Sequence, residues 1–217
     1  MKYSATYDEG IVTLLDHQLP LHSEVGLPAK VAVVASQIGK KRNLGCSSFD
    51  GLEVLGVKDL LLLHDAGWEI LCHGMTHVRI TPSNACVEMG ESKRKIEDAL
   101  GIEIAGFAIP GDNKAYSVVK KMYSDFGYAD VYTIYDDVNR PPVDRSRICR
   151  VPIHTKLQGP YDSAFDPYKR IRQCVECDGY LVDYCHCPLP GRAIDPRKDC
   201  TLEELAQRLW AVKGAMS

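Results

Sequence analysis

With 217 residues and 45% hydrophobic content, the chain can bury a sizeable core in one domain, residues 1–217. Its net charge of −3 comes from 26 basic and 29 acidic residues interspersed without a Lys/Arg block, which argues against nucleic-acid binding and polybasic membrane attachment. No apolar run approaches the ~18 residues of a membrane span and the N-terminus has no apolar signal-peptide core, so a cytoplasmic protein is expected.

In chain order, apolar patterning alternates strands with helices. "KYSATY" (2–7) reads as a first strand, followed by a helix at "IVTLLDHQL" that stops near Pro20. A second strand at "VAVVAS" (31–36) leads to the helix "VLGVKDLLLLHDAG", with Gly67 as its terminating glycine. "WEILC" (68–72) and "IAGFAI" (104–109) are the third and fourth strands, separated by the helix "SNACVEMGESKRKIEDALG", which ends at Gly101. "KAYSVVKKMYSDFG", ending at Gly127, connects to a fifth strand, "DVYTIY" (130–135). Pro141-Pro142 makes the next connection a loop before the sixth strand, "ICRVPI" (148–153). "SAFDPYKRIRQCVEC" precedes the seventh strand, "GYLVDYC" (179–185), and the helix "TLEELAQRLWAVKG" follows with Thr201 and Glu204 in capping-box spacing.

Several of these strands are apolar throughout, as parallel strands covered on both faces are. The pattern predicts an α/β fold, a distorted (β/α) barrel with about seven parallel strands. A doubly wound open sheet is the competitor. No G-x-G-x-x-G follows the first strand and no phosphate-binding G-x-x-x-x-G-K follows any, so nucleotide signatures are missing.

In parallel α/β folds, functional residues gather where strands end and the next loops begin. Asp8-Glu9-Gly10 follows strand one, His73 and His77 strand three, and Pro110-Gly111-Asp112-Asn113 strand four. Asp136-Asp137, His154 and His186 follow strands five, six and seven. Four of the seven histidines thus fall at one rim, whereas His17, His22 and His64 lie in or just after helices. The pair in "CHGMTH" has the spacing of an H-E-x-x-H zinc site, but Gly74 stands where that motif has its glutamate base. Two imidazoles and one carboxylate form a ligand set that suits a catalytic divalent metal. Asp8-Glu9 can supply that ligand and a carboxylate for proton transfer, and His186 a general acid. The plainer alternative is two loop histidines and a solvated acidic turn.

Nine cysteines, an odd number without a secretory signal, read as reduced thiols. Cys174-x-x-Cys177 with Cys185-His186-Cys187 has the look of a structural zinc site. A strand would alternate the faces of that second run, so scattered buried thiols are the expectation.

Taken together, these segments resemble the polysaccharide deacetylase family (carbohydrate esterase family four, the NodB-homology domain), as a divergent member. Thr6-Tyr7-Asp8-Glu9-Gly10 matches the first motif, T-F-D-D-G, and "GWEILCHGMTH" the second, H-S/T-x-x-H, with Gly74 at the Ser/Thr position. "GLPAKVAVVASQIG", "SKRKIEDALGIEIAGFAIPGD" and "GYLVDYCHCP" followed by "TLEELAQRLWAVKG" resemble the other family segments, in order and over essentially the whole chain.

The resemblance implies a metal-dependent hydrolase removing an acetyl or similar small acyl group from an amide or ester on a carbohydrate. Asp8 would be the general base, Glu9, His73 and His77 the ligands of a divalent metal (Zn2+ above others), and His186 the general acid. Pro110 and Gly111 would face the oxyanion, with the Gly111 N–H as donor. The partner would be a small-molecule or oligosaccharide substrate, without nucleic acid or membrane, and a homo-oligomer is compatible with this reading. Three departures qualify it. Glu9 stands for the usual Asp, and the third motif reads Ala108-Ile109-Pro110-Gly111, without its arginine. Arg150 shares strand parity with His154 and is a candidate replacement, both being placed with the substrate-side residues. The fourth motif is missing, which leaves Asp136 and Asp137 as candidate partners of His186, with Asp183 on the other strand face. These changes argue against chitin or peptidoglycan as substrate. They also leave a non-catalytic carbohydrate- or metal-binding descendant as the alternative.

Overall fold

A computed structural model describes residues 1–45, 48–156 and 165–217. Cys46 and the start of the helix expected at 163–177 lie outside them. Seven parallel strands, β1 (Lys2–Asp8), β2 (Ala29–Val33), β3 (Glu69–Cys72), β4 (Gly106–Ala108), β5 (Asp130–Tyr132), β6 (Val151–Pro152) and β7 (Tyr180–Cys185), form one sheet. Their spatial order is β5-β4-β3-β2-β1-β7-β6. The sheet curls until its two outer strands approach one another. Just before β6, the Ile148 N–H donates to the Val131 carbonyl at 2.7 Å and its own carbonyl accepts from the Thr133 N–H at 2.8 Å. The result is the distorted α/β barrel that the apolar pattern predicts.

Helices α1 (Leu19–Val25), α2 (Val57–Asp65), α3 (Ser92–Leu100), α4 (Tyr116–Met122), α5 (Ile171–Glu176) and α6 (Leu202–Met216) accompany the strands. Two π-helical turns, Leu14–Gln18 and Cys86–Glu91, run directly into α1 and α3. Thr201 and Glu204 form the capping box at the start of α6, as their spacing predicts. Among the described residues no helix is long and apolar enough to cross a membrane.

Strand parity sorts the side chains. Tyr3, Ala5, Tyr7, Val31, Val33, Ile70, Phe107 and Leu181 join Leu60, Leu63, Ile96, Leu205 and Leu209 of the helices in the main core. The alternate residues Ala32, Leu71, Ala108, Tyr132, Ile148 and Val182 fill the barrel interior as a second, smaller cluster. One step further along these interior rows come Asp8, His73, Pro110, Arg150 and His186. That parity, carried to the C-terminal ends of the strands, builds the site.

Strand ends differ from the pattern for identifiable reasons. The sixth strand shrinks to Val151–Pro152 because the Asn139 side chain captures Cys149, accepting its N–H at 2.7 Å and donating to its carbonyl at 2.9 Å. The second strand stops at Val33, and the N–H groups of Ala35 and Ser36 turn to the Gly74 and Met75 carbonyls, both at 3.0 Å. Those two bonds attach the end of β2 to the histidine loop.

Candidate active site

Asp8, the last residue of β1, points into the barrel mouth and is 5% exposed. Glu9 and Gly10 then turn the chain through two successive left-handed residues, φ 74° and 64°. Gly10 is required there, since a Cβ would sit 3.0 Å from Val33 Cγ1. Glu9 has no such excuse, and a left-handed non-glycine costs about 1 kcal/mol or more. Such strain persists where surrounding structure enforces it, and His77 shows it too, at φ 61°.

Arg150 reaches Asp8 from the start of β6. Its Nη1 donates to Asp8 Oδ1 at 2.6 Å and to Thr6 Oγ1 at 3.2 Å, and its Nε donates to the Thr133 carbonyl at 3.0 Å. The guanidinium is fully buried and lies 4.8 Å over the Tyr184 ring. Burial alone would push the Asp8 carboxyl up, but Arg150, then His73 and His186, outweigh it and hold it well below the usual carboxylate range.

His73 and His77 sit in the loop after β3, not on a helix. His73 Nδ1 lies 2.9 Å from the Ala108 carbonyl and so carries the hydrogen, leaving Nε2 as a bare lone pair 3.9 Å from Asp8 Oδ2. His77 Nε2 lies 3.8 Å from Glu9 Oε1, and the two rings meet edge to face at 4.9 Å. Burial lowers both pKa values, that of His77 to about 3, so both imidazoles are neutral. The loop is held by Glu88, whose buried carboxylate accepts from the N–H groups of Met75 (2.9 Å) and Thr76 (3.0 Å) and from Thr76 Oγ1 (2.5 Å). Gly74, at φ 84°, lies so close that a Cβ would stand 2.9 Å from Glu88 Oε2. This explains glycine where the second motif has Ser or Thr.

His186 follows β7, stacked on Phe49 at 4.5 Å, with Nδ1 2.8 Å from the Lys198 carbonyl. A backbone carbonyl thus occupies the place sought for an aspartate. Asp136 is instead paired with Lys169 (2.6 Å) and Arg170 (3.3 Å), and Asp137 with Arg140 (3.4 Å). Asp183 is bound by Arg208 and Tyr3. Burial lowers the His186 pKa to about 4 against the pull of Asp8, so the ring is neutral, with Nδ1–H on Lys198. His154, after β6, is 6% exposed, its Nε2 has no hydrogen-bond partner, and burial lowers its pKa to about 3.

A cavity of about 850 Å³ collects these groups: Asp8, Glu9, His73, His77, Pro110, Gly111, His154 and His186 all line it, while Arg150 lies behind Asp8. Several lining residues escaped the sequence reading, Arg42 with the most consequence. Arg42, from the loop after β2, is buried and clamps Glu9, its Nη2 donating to Oε1 at 2.9 Å and its Nε to Oε2, while Nη1 donates to Asp50.

Residues 2–131 match the family model for polysaccharide deacetylase. The chain belongs to the polysaccharide deacetylase family. The match ends within β5, so Arg150, His154 and His186 lie beyond it. Solved structures share the fold at low identity. IcaB from Ammonifex degensii is 20% identical over 67% of this chain and 65% of its own, with a TM-score of 0.55. The Streptococcus pyogenes deacetylase PplD in complex with acetate is 15% identical over 67% and 62%, also at 0.55. A family 4 carbohydrate esterase from Streptomyces lividans in complex with acetate is 12% identical over 98% and 88%, again at 0.55. The chain therefore spans slightly less than two thirds of the first two relatives. No curated protein matches it in sequence.

In this member of the polysaccharide deacetylase family the donor chemistry fits a divalent cation. Two neutral imidazoles and two carboxylates face each other at 3.8–3.9 Å, too far to hydrogen-bond and close to the separation of two ligands that each lie ~2.0–2.2 Å from one cation. The clamp on Glu9 works against closure. Among the described residues, Glu9, His73 and His77 do not bring three donor atoms within 4.8 Å of one another, whereas Cys185, Asp199 and Cys200 do.

Proposed function

We propose that the chain is a metal-dependent hydrolase that removes an acetyl or similar small acyl group from an amide or ester on a carbohydrate. The observation that carries this reading is the buried Asp8 carboxylate, fixed by Arg150 at 2.6 Å and facing the bare His73 Nε2 in a cavity that also holds His77 and His186. Glu9, His73 and His77 would hold the cation, with zinc favoured by a His/His/carboxylate set. When bound, such a cation acidifies water and polarises a carbonyl.

The remaining work falls to the chain. Asp8, ionised throughout the neutral range, accepts the proton of the attacking water, and Arg150 fixes its orientation. His186 enters as the neutral ring, so its Nε2 must first take up the proton that Asp8 received from the water, and it then delivers that proton to the leaving nitrogen or oxygen. The Gly111 N–H, on the cavity wall, donates to the oxyanion. An oligosaccharide or smaller sugar fits a cavity of about 850 Å³.

The test is acetate release from a panel of N-acetyl and O-acetyl sugars, with the protein chelated and then reloaded with zinc. Turnover should appear on reloading and vanish in Asp8→Asn, which keeps its metal. Zinc bound with no release from any substrate would sink the hydrolase reading. One observation favours a non-catalytic carbohydrate- or metal-binding role instead: Arg42 already neutralises Glu9. Saturable sugar binding without product would support that role.

A further inference from the structure

Behind His186, away from the cavity, lies a second group of metal-ligating side chains. Cys185, the last residue of β7, and Asp199 and Cys200, just before the Thr201 cap of α6, place three donor atoms within 4.8 Å of one another. All three residues are fully buried. A further thiol adjoins them: Cys187, fully buried, is two residues along from Cys185, and its N–H donates to Asp199 Oδ2 at 2.9 Å.

The charge pattern is unusual for a protein interior. Asp199 accepts three backbone N–H groups, from His186 (3.3 Å), Cys187 (2.9 Å) and Cys200 (3.1 Å). Among the described residues, no Lys, Arg or His forms an ion pair with it. A carboxylate buried without a counter-cation is costly. Here it stands beside thiols, neutral groups that become strong ligands for a thiophilic cation on losing a proton. A thiophilic cation answers both features, neutralising the carboxylate and joining the sulfurs. The backbone N–H bonds to Asp199 are then the outer contacts that orient a ligating carboxylate.

We propose that Cys185, Asp199 and Cys200, with Cys187 as fourth donor, bind one zinc ion in a closed structural site separate from the catalytic cavity. Four protein donors, all fully buried, would be the marks of a structural rather than a catalytic zinc. The site also explains how His186 is held. Asp199 accepts the His186 N–H, and the adjacent Lys198 carbonyl accepts its ring N–H, so fixing Asp199 fixes the imidazole from two sides.

The proposal does not rest on the hydrolase reading, and the test keeps the two apart. The full chain is purified under reducing conditions without chelator as His73→Ala/His77→Ala, which removes the cavity ligands. Elemental analysis should find about one zinc per chain, with loss of that zinc on adding Cys185→Ser or Cys200→Ser. Cobalt(II) loaded in its place should show the near-ultraviolet thiolate charge-transfer band, which a His/carboxylate site lacks. If the serine variants fail to fold, the wild-type chain supplies the answer, since buried thiols should react with a thiol reagent faster after strong chelation than before. A folded histidine variant with no zinc and no thiolate band would overturn the proposal. So would thiol reactivity that ignores the chelator.

Discussion

Arg150 supplies from the opposite side of the sheet the guanidinium that the third motif lacks. Ala108, near where that arginine would enter, packs into the barrel interior instead. Replacing Arg150 by Met leaves the Asp8 carboxyl buried without its main counter-charge. The sign is plain: Asp8 is held low by Arg150 against burial, so its pKa must rise when Arg150 goes. The acid limb of the kcat/KM profile should move up by at least one pH unit, and activity at neutral pH should fall roughly 10²-fold. Arg150→Lys should recover part of the shift, and an unmoved acid limb would rule the role out. Arg42 makes the converse prediction. Arg42→Met frees Glu9 and should tighten zinc at the cavity about tenfold by calorimetry, since an arginine no longer competes for the carboxylate. Weaker binding would mean that Arg42 orients Glu9 for the metal. Asp8, His73 and His186 were legible in the sequence because they stand where strands end, and Arg150 because it shares strand parity with His154. Arg42 and Glu88 were not, because they reach in from a loop and a π-helical turn, where no periodicity announces a direction.

At the scale of elements, the loop after β3 is specified by what it leans on. A Cβ on Gly74 meets Glu88 Oε2 at 2.9 Å and Pro110 Cγ at 3.3 Å, at a φ that disfavours side chains. Gly74→Ser should cost about 1–3 kcal/mol in urea unfolding and weaken zinc binding, since His77 moves with the loop. Ordinary affinity in that variant would show that the loop absorbs the change. Helix α1 gives a pH prediction. His22 is buried, with Nδ1 at the Leu27 carbonyl (2.9 Å) and Nε2 accepting from Tyr7 OH (2.8 Å), and burial lowers its pKa to about 4. The unfolded chain then binds the extra proton below about pH 6.5, so this stability is present above that pH and is lost as pH falls toward 4. The full loss is about 3 kcal/mol for one such group. His22→Gln should flatten the dependence of the urea midpoint between pH 7 and 5, and an equally steep curve would exclude it. The order of strands and helices was readable because apolar runs and terminating glycines recur. Strand lengths were not, because a single side chain such as Asn139 can take a residue out of the sheet.

For the molecule as a whole, the seven-strand count and the rule that loops after strands carry the chemistry placed the site at one end of the barrel. The closure was illegible, since it rests on the backbone bonds of one residue, Ile148, with β5. That closure sits beside the segment carrying Arg150 and His154. Opening this edge should disarm Asp8 before the core is lost, so activity should disappear at a lower urea concentration than helical circular dichroism. Coincident transitions would argue that the edge and the core open together. The arrangement also has a temporal side. A ribosome delivers β1, β2 and β3 first, and with them Glu9, His73, His77 and the unguarded Asp8; Arg150 and His186 emerge much later. A nascent or prematurely ended chain would hold the three proposed cavity ligands and lack both Arg150, which pairs with Asp8, and His186, the proposed acid. On the proposed mechanism, hydrolysis would be withheld until synthesis is nearly over, and a partial product would be inert instead of a careless esterase.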